Sequence, residues 1–260
     1  MSEGYYLTPE LYDIVYSDYV ADVAPHVESA KEARGPVLEV CCGNGRLMLP
    51  TLAAGVDCDG LDLDPEMLAD LRRKLEQRKL RANLYAADMR EFTLPRRYAL
   101  VAVPFNSFLH NLSQTDQLAT LRCCRQHLEV GGRLQLTTFH PSVEKLHLWA
   151  SGEHLMKEIP AGAHRVRVFD AATDDRVEQV RHMTRRVEFL DDTGVVEREV
   201  SVSFSLRYIF KPEMELLLRA AGFARFTVRP LFADYTATET YAAERPIREG
   251  DVLSWTAWKE

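Results

Sequence analysis

The run Val37-Leu38-Glu39-Val40-Cys41-Cys42-Gly43-Asn44-Gly45-Arg46 decides the fold. Its apolar start reads as a short buried strand, and the two glycines permit positive φ and let the backbone approach a ligand with no Cβ in the way. A glycine turn of this kind sits at the carboxyl end of a strand and opens a helix, which is where open α/β sheets bind ligands. A tight strand-to-helix connection also needs glycine for structural reasons alone, so the turn takes its meaning from its surroundings.

Working outward, short β-rich runs alternate with helical patterns from about residue 35 to residue 139, which predicts parallel βαβ units. The strands fall at Pro36–Val40, Asp57–Leu61, Asn83–Ala86, Ala99–Val103 and Leu134–Phe139. Asp64-Pro65 reads as an N-cap with proline at the first helical position, and Ser113 with Asp116 opens a helix that Gly131-Gly132 should end. After Pro141 the pattern changes: HRVRVF, RVEQVRHMTRRVEFL and VVEREVSVSFSLRYIF alternate apolar and polar residues, with turn chemistry at Asp191-Asp192-Thr193-Gly194. Parallel layering then resumes with a helix over Pro212–Ala221, stopped by Gly222, and strands at Phe226–Val228 and Leu253–Trp258 that suit an antiparallel edge pair; Ala233–Gly250 is the one long loop. The fold class expected is α/β, a Rossmann-like doubly wound seven-stranded sheet with an inserted small antiparallel β-sheet lid. Its parts are N-terminal helices and a ligand-binding core over 1–141, the lid over 142–206 and the rest of the core over 207–260.

The 260 residues suit one elaborated domain. A net charge of -7 gives no basic footprint for a polyphosphate backbone and disfavours nucleic-acid partners. The start, MSEGYYLTPELYDIVYSDY, lacks the basic flank and apolar run of a secretory signal, and no later apolar run approaches membrane-spanning length, so a cytoplasmic protein with no membrane partner is expected. The five cysteines include two adjacent pairs, Cys41-Cys42 and Cys123-Cys124, and read as free buried thiols with no metal site.

Two acids strengthen the ligand reading. Asp62 closes the second strand in Gly60-Leu61-Asp62-Leu63-Asp64, at the separation from the glycine turn expected of a ribose-hydroxyl acceptor, while Asp64 is used as a helix cap. Ala86-Ala87-Asp88-Met89 follows the third strand, where an acid can accept from an exocyclic amine and apolar neighbours can pack on a purine. A dinucleotide site would want a third glycine after Gly45 to seat a pyrophosphate; Leu47, Met48 and Leu49 follow Arg46 instead.

In this order, Leu38–Arg46, Gly60–Leu68, Ala87–Met89 and Val103–Asn106 resemble the class I S-adenosylmethionine-dependent methyltransferases, and within them the amino-acid and amino-sugar N-methyltransferases. The likeness covers residues 35 to 140 well and the rest loosely. It implies S-adenosylmethionine as cofactor, with S-adenosylhomocysteine as its product form. Gly43 and Gly45 would lie beneath its amino-acid tail, with Glu39 orienting that tail. Asp62 would bind the ribose, Leu63 would pack on adenine, and Asp88 with Met89 would recognise the adenine edge. Tyr12, Cys41, Asn44, Pro104, Phe105 and Asn106 complete the implied cofactor set; Cys41 stands where the family commonly has glycine.

Methyl transfer is an in-line displacement that needs positioning and, where required, proton removal. Pro104-Phe105-Asn106-Ser107-Phe108-Leu109-His110 follows the fourth strand and His140 follows the fifth, so both histidines are candidate bases, though a single histidine is often structural. Tyr12 and Tyr16 share a helix face, which the resemblance folds over the cofactor and which makes Tyr16 a third catalytic candidate. His110, His140, Arg207, Tyr208 and Tyr235, with Tyr241 nearby, are the candidates for acceptor contact. The function expected is methylation of a nitrogen or oxygen of a small-molecule acceptor, nitrogen being preferred by the resemblance. The alternatives are an RNA or protein methyltransferase and an inactive cofactor-binding regulatory protein. A homodimer is compatible with either.

Overall fold

A computed structural model describes residues 7–142, 144, 146, 152–161, 164–232 and 245–260. Two short helices, α1 (Pro9–Val15) and α2 (Val23–Glu32), precede β1 (Val37–Val40), α3 (Met48–Ala53), β2 (Cys58–Asp62), α4 (Pro65–Arg78), β3 (Leu84–Ala86) and β4 (Tyr98–Val103). A 3-10 turn over Ser107–His110, α5 (Gln114–His127) and β5 (Leu128–Phe139) follow. Then come β6 (His154–Ala161), β7 (His164–Asp175), β8 (Val180–Leu190) and β9 (Val196–Arg207), and the chain closes with α6 (Lys211–Ala220), β10 (Arg225–Phe232) and β11 (Val252–Trp258).

The first sheet has seven strands in the order β10-β11-β5-β4-β1-β2-β3. β1 and β2 are buried at every position, as strands covered by helices on both faces must be. The chain winds from β1 outward through β2 and β3 on one side and from β4 to β5 on the other. The neighbours β1 and β4 therefore mark the point where the winding reverses, and a crevice opens there beyond the carboxyl ends of the strands. Local chemistry sets the helix starts: Asp64 Oδ1 accepts from the Glu66 amide at 2.8 Å ahead of Pro65, and Ser113 Oγ accepts from the Asp116 amide at 3.0 Å.

One expectation is corrected. The helix predicted to run to Gly131-Gly132 stops at His127, and both glycines lie inside β5. Gly131, at φ 81°, donates its amide to the Lys259 carbonyl at 2.7 Å, and the Lys259 amide donates to Gly132 at 2.9 Å, so the glycines serve an irregular strand start. The closing strands form the antiparallel edge pair expected of them, with β10 outermost and β11 joining it to β5. Trp255 of β11 is fully buried and donates its indole N–H to Thr138 Oγ1 at 3.0 Å.

The second sheet is antiparallel, in the order β6-β7-β8-β9. Three of its strands fall in the three alternating runs read from sequence; β6, whose alternation is broken by Lys157-Glu158 and Pro160, does not. Helix α1 packs on this sheet, with Leu7, Leu11 and Val15 buried against Ile159, Val166, Val168 and Val187. Among the described residues no helix is long and apolar enough to cross a membrane.

Candidate active site

A cavity of about 1060 Å³ lies between the two sheets. That is at the upper end of ordinary small-molecule sites, which gives room for two ligands side by side. Its floor is the set of loops after β1, β2, β3, β4 and β5; its other walls are α1 and the strands β7, β8 and β9.

The loops are held in unusual shapes. Cys41 (φ 59°), Phe105 (φ 54°) and Asn106 (φ 60°) are non-glycine residues in the left-handed region, and all three line the cavity. Such residues cost about 1–3 kcal/mol each and persist where the surroundings over-determine them. The surroundings here are specific. The Asn106 amide donates to Thr137 Oγ1 at 3.2 Å, Tyr16 meets the Phe105 ring edge-on at 5.0 Å, and the Arg46 guanidinium stacks over Phe105 at 4.5 Å. Asp22 in turn clamps Arg46 through two bonds of 2.7 Å.

The two glycines of the turn do different work. A Cβ on Gly43, at φ 53°, would meet nothing within 4 Å and would enter the cavity. A Cβ on Gly45, at φ 92°, would lie 2.4 Å from Leu71 Cδ1 and 3.0 Å from Leu49 Cγ, so this glycine lets α3 and α4 pack. Asp62 ties the turn to β2: its Oδ2 accepts from the Gly43 amide at 2.7 Å and its Oδ1 from the Asp64 amide at 2.9 Å. Burial pushes the Asp62 carboxyl up, against the pull of those amide bonds, and lone pairs remain for two hydroxyls. Leu63 beside it is 51% exposed, an apolar surface offered to the cavity. Asp88 is held by Arg90 through bonds of 2.9 Å to Nε and 2.6 Å to Nη2, which keep its carboxyl below the usual range.

His110 ends the 3-10 turn, with its ring 6.3 Å from that of Phe204 on β9. Its side chain is exposed to the cavity, whose walls desolvate the ring and lower its pKa to about 4 against a hydrogen bond to the Ser205 backbone, so it is neutral at pH 7. Burial also lowers His140, with Glu249 and Asp251 opposing; its ring stands edge-on to Phe210 at 6.2 Å. Among the described residues, His140 Nδ1 and Asn106 Oδ1 are buried side-chain atoms on this wall with no hydrogen-bond partner.

Of the residues singled out from sequence, the wall brings together Tyr12, Tyr16, Cys41, Gly43, Asp62, Leu63, Asp88, Met89, Phe105, Asn106, His110 and His140. Others stand elsewhere. Glu39 faces His26 at 3.0 Å beneath β1, and the Asn44 amide binds the Pro9 carbonyl at 3.1 Å and Asp13 at 2.8 Å, tying the turn to α1. Pro104 lines a separate chamber of about 30 Å³ with Asp22 and His26, the size of a single water. Arg207 does not reach for an acceptor: it is buried, donates to Gln117 Oε1 at 2.9 Å and Glu213 at 2.8 Å, and joins β9 to α6. Tyr208 is buried against Phe210, with rings 6.1 Å apart, and its amide donates to the Gln179 carbonyl at 3.0 Å. Tyr235 and Tyr241 lie outside the described residues.

Sequence reasoning missed Arg185 and Asp170. Arg185 donates to Tyr16 Oη at 2.6 Å and forms a two-bond pair with Asp170, 2.7 Å each, across the β7 and β8 ladder. The signal was present: on β7, Asp170 and Asp174 continue the inward phase of Val166 and Val168, and on β8, Arg181 and Arg185 share the phase of Met183 and Val187. A charge in an apolar phase is a buried pair or a site residue.

Residues 37–132 match the family model described as a methyltransferase domain. The chain is 33% identical over 131 residues, 47% of its length and 53% of the relative's, to a dTDP-3-amino-3,4,6-trideoxy-alpha-D-glucopyranose N,N-dimethyltransferase of Streptomyces venezuelae. It is 27% identical over 130 residues, 49% of its length and 54% of the relative's, to a ubiquinone biosynthesis O-methyltransferase of Aromatoleum aromaticum. The chain thus spans about half the length of the curated relatives it matches. Among solved structures, Streptomyces venezuelae DesVI superposes with a TM-score of 0.74 at 21% identity, covering 96% of this chain and 98% of that one. An amino pentose methyltransferase from Micromonospora echinaspora, solved with S-adenosylmethionine bound, gives 0.71 at 22% identity over 98% and 99%. The chain therefore has the class I S-adenosylmethionine-dependent methyltransferase fold and carries its methyltransferase domain over residues 37–132.

Proposed function

We propose that the chain transfers a methyl group from S-adenosylmethionine to an amine nitrogen of a small-molecule acceptor, an amino sugar or a compound that bears one. One observation carries the reading. A single cavity joins the glycine turn, Asp62 and Leu63 at one end to the inner face of β7, β8 and β9 at the other, with neutral His110 between.

The floor fits the cofactor: open space above Gly43 for its amino-acid tail, the spare lone pairs of Asp62 for the ribose, Leu63 and Met89 for the purine faces. When bound, S-adenosylmethionine supplies a methyl carbon made electrophilic by its sulfonium. The acceptor nitrogen's lone pair would form the new C–N bond as the C–S bond breaks with its electrons, and the ammonium product would give up its proton to bulk water once it leaves the cavity. Phe105, Tyr12 and Tyr16 crowd this region and exclude water from it. Asn106 Oδ1 offers unmet acceptor capacity to the N–H groups of an amine, and His140 Nδ1 is a second polar atom there with its hydrogen bond unmet.

The histidine chemistry supports nitrogen over oxygen. An alcohol needs a base of matched pKa, and a ring held near 4 is a poor one. An amine needs only to be neutral, and burial itself favours the neutral form. The 33% identity to an N,N-dimethyltransferase supports the same choice, and the net charge of -7 supports a small acceptor over nucleic acid. With five free cysteines, the cytoplasm is the compartment this reading favours.

The test is methyl transfer to an amine panel by wild type, His110→Gln and His110→Phe. Glutamine keeps a neutral hydrogen-bonding group and is expected to retain kcat within about tenfold, whereas a true base lost would cost roughly 10²–10⁴. The stability of the protein carries the matching signature. The folded pKa of His110 lies below the ordinary 6.5, so the folded state binds fewer protons between about pH 4 and 6.5. Stability linked to the neutral ring is present above pH 6.5 and is lost as pH falls toward 4, a loss that His110→Gln removes.

A further inference from the structure

The lid end of the cavity is rich in guanidinium groups, yet each is already committed. Arg185 is held by Asp170 through two bonds of 2.7 Å, and Arg181 by Asp174 at 2.8 and 2.9 Å. Toward the other end, Arg90 is held by Asp88 and meets Asp116 at 3.3 Å. These are planar fork-to-carboxylate contacts, the geometry in which a guanidinium would otherwise take a phosphate. Adding Asp62, the described wall and its partners hold four carboxylates and a fifth at Asp116 against three guanidiniums. His110 and His140 do not repair the deficit, because burial holds both toward their neutral forms. A cationic cofactor offsets part of this negative charge but leaves, among the described residues of the wall, no guanidinium outside a carboxylate pair for a second anion.

Apart from the hydroxyls of Ser107, Ser142, Thr184, Ser203 and Ser205 and the amides of Asn106 and Asn111, which carry no charge, the rest of the described wall is mostly apolar and adaptable. Four of the chain's seven methionines, Met67, Met89, Met156 and Met183, line it, together with Phe204 and Leu206. Unbranched thioether side chains fill irregular gaps and conform to bulky apolar ligands.

From this juxtaposition we propose that the acceptor is a bulky, largely apolar amine without phosphate groups, an amino sugar already joined to an apolar partner and not one carried on a nucleoside diphosphate. The proposal rests on the methyl-transfer reading above and deepens it. It separates this chain from the relative whose acceptor is named as a dTDP-sugar. A diphosphate brought into this cavity would lose its hydration and meet carboxylates, with each guanidinium obliged to break an existing pair. An apolar substituent would instead bury against the methionines, Phe204 and Leu206.

The experiment compares one nucleophile in two settings: a 3-amino-3-deoxyhexose as its dTDP ester and as its octyl glycoside, each supplied to the full-length protein with saturating S-adenosylmethionine. The expected kcat/KM is at least tenfold higher for the octyl glycoside. Equal or higher values for the dTDP ester overturn the proposal while leaving methyl transfer to amines intact. If neither is methylated, the amine-transfer reading fails, and calorimetric titration of both compounds into protein saturated with S-adenosylhomocysteine still decides the present point. Tighter binding of the octyl glycoside upholds it; equal or tighter binding of the dTDP ester, or binding of neither, overturns it.

Discussion

The two ends of the cavity are built by different means. At the parallel-sheet end the backbone does the shaping: Cys41, Gly43, Phe105 and Asn106 all take positive φ in loops beyond strand ends. At the antiparallel end side chains do it, with Asp170 opposite Arg185 and Asp174 opposite Arg181 on a regular ladder. A backbone-shaped site tolerates little change, because each loop conformation depends on its neighbours. A ladder exchanges side chains without altering its backbone, so specificity can differ there between chains of one fold.

The sharpest way to break this contrast is at the glycine turn. Gly45→Val places new atoms against Leu71 and Leu49, both buried, at φ 92°, and should lower stability by about 3–5 kcal/mol from overpacking and left-handed strain together, read by urea unfolding. Gly43→Val points into open space and should cost only about 1–2 kcal/mol of stability, yet weaken S-adenosylhomocysteine binding at least a hundredfold. Normal binding by Gly43→Val would show that the turn is a connector and nothing more.

A smaller effect is expected at Asp62. Asp62→Ala removes the acceptor of the Gly43 amide and of two ribose hydroxyls, so calorimetry should show S-adenosylhomocysteine binding weaker by about 1.5–3 kcal/mol. An unchanged dissociation constant in a folded variant would remove the ribose assignment.

At the other end the effect on cofactor should be smallest. Replacing the pair together, Asp170→Leu with Arg185→Met, leaves no stranded charge and should keep stability within about 2 kcal/mol. S-adenosylhomocysteine affinity should stay within threefold, under about 1 kcal/mol, while kcat falls about tenfold because Tyr16 loses its 2.6 Å donor. A parallel loss of cofactor affinity would show that the ends are not independent.

The same contrast explains what was legible in the sequence. The parallel core could be read because glycines, caps and strand-end acids act locally: Asp64 caps the helix next to it, and Asp62 binds an amide nineteen residues away across adjacent strands. Gly45 looked like Gly43 in sequence, since both have positive φ; only the packing of Leu71 and Leu49 separates them. The order that places β11 inside the sheet depends on pairing across more than a hundred residues, as Trp255 does with Thr138, and no local pattern encodes it. At the lid, strand periodicity revealed the sheet, but the Arg185 and Asp170 pair depends on hairpin register. Arg207, at the end of an alternating strand, could equally face a ligand or a neighbouring helix, and the partners that decide it, Gln117 and Glu213, lie on α5 and α6.

Amide hydrogen exchange in three states tests the central claim, a cavity with a cofactor floor and an acceptor roof, most directly: protein alone, with S-adenosylhomocysteine, and with S-adenosylhomocysteine plus the octyl aminoglycoside. The first addition should protect residues 41–45, 62–67 and 87–90, and only the second should protect 181–187 and 203–206 on β8 and β9. Full protection of β8 and β9 by S-adenosylhomocysteine alone, or none of the glycine turn, would contradict it.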